Sequence, residues 1–252
     1  AKDANMPKDN INRAISKSEF DKEKNYESLR YEAFGPSNIA LIKYWGKSCV
    51  KSQWPQNDSL SITLSESFTI TSAWVDESLC NHFVVFEGVD LPRDHSLSNR
   101  VCRHLDFIKN KFGFSGYLHI ETSNSFPSSC GIASSASGFS ALTVAALGCW
   151  TNSRSFGELE SRGFQREDLS HLSRMGSGSA GRSLWGGVVH WKKGNDPDNQ
   201  TIKQVKMANF WDLCDVICIV DSKPKAISSS QGHQLALSSP LFKLRLSGLL
   251  SR

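Results

Sequence analysis

Apolar residues along the chain recur with two periods, and the two interleave. Residues 38–47, Asn-Ile-Ala-Leu-Ile-Lys-Tyr-Trp-Gly-Lys, predict a buried strand that changes character at Lys43. Residues 55–64 and 68–75 alternate between polar and apolar positions, and residues 83–86 form a short apolar run, so each segment predicts a strand. The period then changes: Val101, Leu105, Ile108 and Phe112 fall at helical spacing within residues 98–112 and predict a core-facing stripe. Residues 117–123 alternate again, and the Ala/Leu/Val-rich segment that reaches Trp150 predicts a helix. The polar residues 151–170 predict a turn and part of a helix, and residues 184–191 a strand. Further on, the pattern predicts a hairpin-type turn at 194–199, an apolar strand at 214–220, a polar loop at 223–230 and a helix over 234–250. Residues 1–30 are polar and charged apart from Ile11, Ile15, Phe20 and Leu29, and predict a tail or short helix outside the core.

Three stretches carry more than structure. Between the strand at 117–123 and the following helix runs Ser-Asn-Ser-Phe-Pro-Ser-Ser-Cys-Gly-Ile-Ala-Ser-Ser-Ala-Ser-Gly-Phe-Ser-Ala, residues 123–141. So little side-chain bulk lets backbone N–H groups approach an anion, and a new helix presents its positive end there. Ser134, Ser135 and Ser137 stand where hydroxyls would add donors. An ordinary strand-to-helix connection capped by Ser is the alternative, and no Gly-Lys-Ser/Thr closes a Walker loop. Residues 174–183, Arg-Met-Gly-Ser-Gly-Ser-Ala-Gly-Arg-Ser, form a second such stretch. Here Ser177, Ser179 and Arg182 read either as a set of donors for phosphate or carboxylate, or as a flexible turn with a solvated Arg. Lys-Tyr-Trp-Gly-Lys at 43–47 is either a strand end with snorkelling lysines or the cationic, aromatic-walled end of a ligand cleft.

Composition narrows the choice. Over 252 residues, 39% hydrophobic and 21% charged content are those of a globular protein with ample material for a core. A net charge of +4 without a Lys/Arg block argues against a nucleic-acid groove and for a local positive pocket that takes an acidic small molecule. Seven scattered cysteines without a Cys-x-x-Cys pair fit reduced thiols in a cytoplasmic compartment better than a disulfide framework or a zinc ribbon. No segment approaches the ~18 apolar residues of a membrane span. The N-terminus has neither the apolar core of a signal peptide nor the charge bias of a transit peptide. Seven histidines show no metal-ligand spacing, so no metal site is expected. Asp221, after the strand predicted at 214–220, reads as a turn residue.

The motifs also occur in a telling order. Pro36-Ser-Asn-Ile-Ala-Leu-Ile-Lys-Tyr-Trp-Gly-Lys47 comes first. Asn124-Ser-Phe-Pro with Gly-Ile-Ala-Ser-Ser-Ala-Ser-Gly-Phe139 follows, and then Gly176-Ser-Gly-Ser-Ala-Gly-Arg-Ser183. A looser pair, Ser228-Ser-Ser-Gln-Gly and Ser239-Pro-Leu-Phe-Lys243, comes last. Together they resemble the diphosphomevalonate decarboxylases of the GHMP kinase superfamily over about residues 31–250. Ile-Lys-Tyr-Trp-Gly-Lys is the most specific of them.

The resemblance implies an α+β, GHMP kinase-like fold of two lobes with the active cleft between them. In that reading, residues 1–30 are a polar extension and 31–192 an ATP-binding lobe of ribosomal S5-like fold. Residues 193–252 are then the start of an incomplete ferredoxin-like lobe. The implied reaction is the ATP-dependent decarboxylation of mevalonate 5-diphosphate through phosphorylation of its 3-hydroxyl, a step of isoprenoid and sterol biosynthesis. It yields isopentenyl diphosphate, ADP, phosphate and CO2. By the same resemblance, Tyr44, Lys47, Ser177, Ser179 and Arg182 bind the substrate, and Asn124, Ser129, Gly131, Ala133, Ser134 and Ser135 bind ATP. Lys43 and Arg182 are the implied catalytic residues. The implied cofactors are ATP and Mg2+, the ion riding on the nucleotide phosphates. The implied partner is the small-molecule substrate, with neither nucleic acid nor membrane, in a cytoplasmic homodimer.

Some positions depart from the family pattern. Asp58, Cys130 and Gly181 stand where the family more often has small or neutral residues, with Cys at the last. The family's catalytic carboxylate lies in an Asp-Ala-Gly-Pro-Asn segment that these residues do not contain. The expectation is therefore a partial view of a longer enzyme. The alternatives are a truncated, non-catalytic ligand-binding paralogue and a related small-molecule kinase such as a mevalonate 3-kinase.

Overall fold

Strands β1 (Tyr31–Ile42) and β4 (Ser59–Val75) are long because each serves two parts of one sheet. In the computed structural model, which describes residues 29–127, 133–216 and 229–250, they run antiparallel along most of their length. Tyr31 to Pro36 pair with Ala73 to Phe68, and after a register shift Asn38 to Ile42 pair with Thr63 to Leu60. On its other side β4 changes partner. Residues 69–75 pair with β7 (Leu118–Asn124), whereas residues 59–62 pair with β8 (Val188–Lys192). The two alternating runs at 55–64 and 68–75 are thus largely one strand, carried through the polar Ser65-Glu66-Ser67.

The remaining strands extend this sheet in the order β6-β5-β7-β4-β8-β9, with β1 on β4. Strand β5 (Phe83–Phe86) lies parallel to β7, and a parallel pair needs a crossover, which contains α1 (Ser96–Phe112). Strand β6 (Val89–Asp90) pairs with β5, and β9 (Thr201–Lys206) pairs with β8 beyond the predicted turn at 194–199. Strands β2 (Lys47–Cys49) and β3 (Trp54–Pro55) form a separate two-stranded hairpin. The α+β fold expected from the motifs is the fold observed.

Helix α2 (Ser134–Thr151) is the centre of the packing. Phe139, Leu142, Ala145, Ala146 and Leu147 are all buried, on more than one side of the helix, as in a helix enclosed by protein. Its N-terminal half is small because β1 lies against it. A Cβ on Gly35 would stand 2.1 Å from the Ser137 carbonyl oxygen and 2.4 Å from Ser140 Oγ, so only glycine lets strand and helix touch there. Val101, Leu105 and Ile108 of α1 are buried as their spacing predicts, while Phe112 is 39% exposed and packs on Phe114 and Phe164 at the margin. The polar stretch 151–170 holds two elements, α3 (Phe156–Ser161) and the start of α4 (Arg166–Gly176). Leu159, Leu169 and Leu172 of these helices close a second core against Ile108 and Leu147.

The C-terminal part differs from expectation. The helical pattern over 234–250 is two helices, α5 (Ser229–Ala236) and α6 (Pro240–Leu250), because Pro240 can start a helix but cannot sit inside one. Residues 214–216 of the predicted strand have no regular structure. Residues 217–220, Asp221, most of the predicted loop at 223–230 and residues 1–28 lie outside the described residues. Cys49, Cys80, Cys102, Cys149 and Cys214 are free thiols. Among the described residues no helix is long and apolar enough to cross a membrane.

Candidate functional site

The end of β1 does not stay buried as its sequence predicts. Leu41 and Ile42 are exposed, because among the described residues only β4 pairs with β1 and the strand stops at the sheet margin before Lys43. The Lys-Tyr-Trp-Gly-Lys segment then turns across the open side. Tyr44 sits edge-on to Trp191 at 4.8 Å and stacks on His233 of α5, also at 4.8 Å. Gly46 has φ of 75°, and a Cβ there would meet Phe242 at 2.7 Å and Leu237 at 2.8 Å. Lys43 is exposed, and its carbonyl oxygen accepts from Asn57 at 3.3 Å and Arg245 at 2.5 Å.

The second Gly/Ser stretch is ordered rather than flexible. Arg174–Gly176 complete α4, and residues Ala180–Leu184 form a 3-10 turn. Arg182 is not solvated: it is 2% exposed, with Nη1 donating to Ser59 Oγ at 2.6 Å and Nη2 to Asn38 Oδ1 at 3.1 Å. Asn38 is itself fixed by donating to Ser183 Oγ at 2.7 Å. Among the described residues the buried Arg182 Nε has no hydrogen-bond partner. Burial lowers the guanidinium pKa to about 10, which leaves it charged at neutral pH. Burial raises the Tyr44 phenol above its ordinary value, against the opposing pull of Arg182 and Arg174.

At the start of α2, Ala133 occupies the N-cap in the left-handed region with φ of 43°, and among the described residues no side chain caps the helix. The Ser-capped connection is therefore not what forms, and this end of the helix is open to an outside acceptor. Ser134 and Ser135 are half-buried at that end, and Ser135 Oγ lies 3.1 Å from Ser177 Oγ. Ser137 is a correction. It is fully buried, one turn inside the helix, and its hydroxyl is engaged by Thr69 Oγ1 at 2.7 Å and the Ser134 carbonyl at 3.0 Å.

These segments surround one cleft of about 940 Å³. Of the expected residues it gathers Lys43, Tyr44, Lys47, Ala133, Ser134, Ser135, Ser177, Ser179 and Arg182. Asn124 lies elsewhere, on a smaller cavity of about 220 Å³ that shares Ser134 and Ser135 with the cleft. Its side-chain oxygen accepts from Thr69 at 2.6 Å. Ser129 and Gly131 lie outside the described residues.

Sequence reasoning missed four contributors. Arg100 and Arg103 reach the cleft from α1, whose helical stripe drew attention only to its apolar positions. Their three-residue spacing beside Val101 was the available signal. Asn38 was part of a motif but had no assigned role, and His233 fell between the loop expected at 223–230 and the helix expected at 234–250, just past the looser Ser228–Gly232 match. The cleft thus carries Lys43, Lys47, Arg100, Arg103 and Arg182, and no Asp or Glu among its described lining residues. Burial lowers the pKa of Lys47, and Arg100 lowers it further; burial and then Arg103 do the same to Arg100. Chemically this is a site built to receive a multiply charged anion.

A family model for the diphosphomevalonate decarboxylase-like N-terminal domain matches residues 35–203. The diphosphomevalonate decarboxylase of Ganoderma lucidum is 35% identical over 230 residues, which cover 85% of this chain and 55% of that protein. The solved mevalonate diphosphate decarboxylase of Staphylococcus aureus superposes with a TM-score of 0.74 at 29% identity, covering 88% of this chain and 64% of that one. A structure described as MDDEF in complex with MVAPP, AMPPCP and magnesium superposes with a TM-score of 0.73 at 27% identity, covering 88% and 65%. The chain spans about half the length of the curated relatives it matches.

Proposed function

The chain belongs to the diphosphomevalonate decarboxylase-like N-terminal domain family, and on that premise we propose that the protein carries out ATP-dependent decarboxylation of mevalonate 5-diphosphate. The products are isopentenyl diphosphate, ADP, phosphate and CO2. One observation supports this reading most: the guanidinium of Arg182 is a buried cation whose only hydrogen-bond partners among the described residues are a hydroxyl and an amide, in a cleft lined by four further cations and no described carboxylate. A buried charge without a counter-ion is costly, and an anionic substrate supplies the missing one.

Position in the cleft, together with the family motif, supports these roles. Arg182, Lys47, Tyr44, Ser177 and Ser179 bind the diphosphate and carboxylate of the substrate. Ala133, Ser134 and Ser135 offer backbone and hydroxyl donors to ATP phosphates at the open end of α2, with Ser129, Gly131 and Asn124 assigned to the same nucleotide by the family motif. Lys43 and Arg182 neutralise charge that develops as the phosphoryl group moves. Phosphoryl transfer asks for this kind of positioning and neutralisation rather than a covalent nucleophile. Among the described residues no group of three His, Cys, Asp or Glu side chains could hold a metal, whereas the Ser134 and Ser135 hydroxyls fit the phosphates of a nucleotide that carries its own Mg2+. Bound there, Mg2+ would neutralise phosphate charge.

Residues 31–192 form the ATP-binding lobe in this reading, and residues 193–252 begin the second. The homodimer rests on the family resemblance, and the cytoplasmic location on that resemblance together with the scattered cysteines. The test is ATP-dependent CO2 release from mevalonate 5-diphosphate by the full-length protein. Release supports the reading. Tight binding of the substrate without CO2 would favour a ligand-binding paralogue, and phosphorylated substrate without CO2 a 3-kinase.

A further inference from the structure

We propose that His233 is a positioning residue that holds Tyr44 in the anion cleft and fixes the turn formed by residues 43–47. This rests on the cleft being the substrate site proposed above. Three contacts of this one imidazole converge on that turn. Its ring stacks on Tyr44, with centroids 4.8 Å apart and planes 18° from parallel. It lies 5.5 Å from the Trp45 ring. Its Nδ1 accepts the Gly46 backbone N–H at 3.1 Å, which places the proton of the neutral ring on Nε2.

The surroundings support the same role. His233 lines the cleft next to Gly232, so it is part of the wall rather than a remote brace. Tyr44 is held on the opposite side by Trp191, which is fully buried and donates from its indole N–H to Gln200 Oε1 at 3.1 Å. Trp191 is therefore a well-anchored backstop, and Tyr44 is packed between it and His233. The α5–α6 pair is further anchored to the turn by Phe242 and Leu237, which pack against Gly46, and by Arg245, which donates to the Lys43 carbonyl. The geometry makes the tyrosine a clamped donor, and pre-placing a donor removes the ordering cost from ligand binding.

The test uses the full-length protein and three variants: His233→Ala, His233→Phe, which keeps a stacking ring, and His233→Gln, which keeps an acceptor. Two readouts separate positioning from stability. The first is the KM for mevalonate 5-diphosphate against kcat. The second, which needs no substrate, is the Tyr44 phenol titration followed by NMR of labelled tyrosine. His233→Ala is expected to raise KM about tenfold, the size of one aromatic contact or hydrogen bond, with kcat nearly unchanged. Tyr44 should then titrate closer to its ordinary value, because losing the covering ring relieves the burial that raises it. His233→Phe should restore the titration and most of the KM, whereas His233→Gln should restore neither fully. Wild-type KM and titration in His233→Ala would overturn the proposal. So would equal losses in all three variants that track only a lower melting temperature. If the wild type does not turn the substrate over, the functional reading fails, and the titration still decides the role of His233.

Discussion

The hydroxyl oxygens of Ser135 and Ser177 lie 3.1 Å apart and join the open end of α2 to the end of α4. The two Gly/Ser stretches, whose Ser135 and Ser177 stand 42 residues apart in sequence, are therefore adjoining walls of one cleft rather than two sites. Removing the Ser135 hydroxyl should weaken nucleotide use directly, and removing that of Ser177, besides weakening substrate binding, should do so through the shared bond, so the two losses should not add. Ser135→Ala and Ser177→Ala are each expected to raise the KM for ATP by a few fold, with the double variant close to either single one. A double-mutant cycle on that KM checks the coupling. Strict additivity would mean that the two hydroxyls act independently.

Gly46 gives a prediction about architecture. Its φ of 75° disfavours any side chain, and a Cβ would press on Phe242 of α6 and on Leu237 in the turn between α5 and α6. Gly46→Ala is expected to cost about 1–3 kcal/mol, from left-handed strain and overpacking together. Since α5 and α6 must give way, limited proteolysis should cut first within residues 229–250. Unchanged stability and cleavage would show that the helices do not bear on the turn.

Buried histidines set an acid limit on stability. His104 is buried and donates to or accepts from Thr143 Oγ1 at 2.9 Å, and burial lowers its pKa to about 3. His82, whose Nδ1 accepts from the Leu118 amide, is lowered to about 4 by burial, against the pull of Asp106. Both are neutral in the fold but bind protons when unfolded below about 6.5. Their contribution is thus fully present above pH 6.5 and is lost as pH falls from there through about 4 and 3. Denaturant titrations at pH 7 and pH 5 should show a drop of about 1–2 kcal/mol per histidine. In His104→Gln the drop should be smaller by one histidine's share. An identical pH slope in that variant would contradict the assignment.

Much of the fold was readable because burial and period agree. Helix α1 announced itself through Val101, Leu105 and Ile108, and β7 through plain alternation. Strand β9 was missed because only Ile202 of its residues is buried, so it carries almost no pattern. Strand β4 read as two because Ser65-Glu66-Ser67 resembles a turn, and only its change of partner from β7 to β8 explains why it continues. In the cleft, Arg182 and the serines were legible as local chemistry. Arg100 and His233 were not, since they arrive from α1 and α5 and no local spacing connects them with residues 43–47. The accessible Ser137 failed for a related reason: facing β4 inside the fold is a tertiary fact that a Ser-rich sequence does not reveal.

The central claim is that the cleft supplies Arg182 with an anion it otherwise lacks. Calorimetric titration of mevalonate 5-diphosphate into the full-length protein and its Arg182→Gln variant tests that most directly. Loss of a buried charge contact to the ligand should weaken binding by about a hundredfold, with the fold retained by circular dichroism. Equal affinities in the two proteins would mean that the substrate's charge is met elsewhere and that Arg182 is only a structural tie between Asn38 and Ser59.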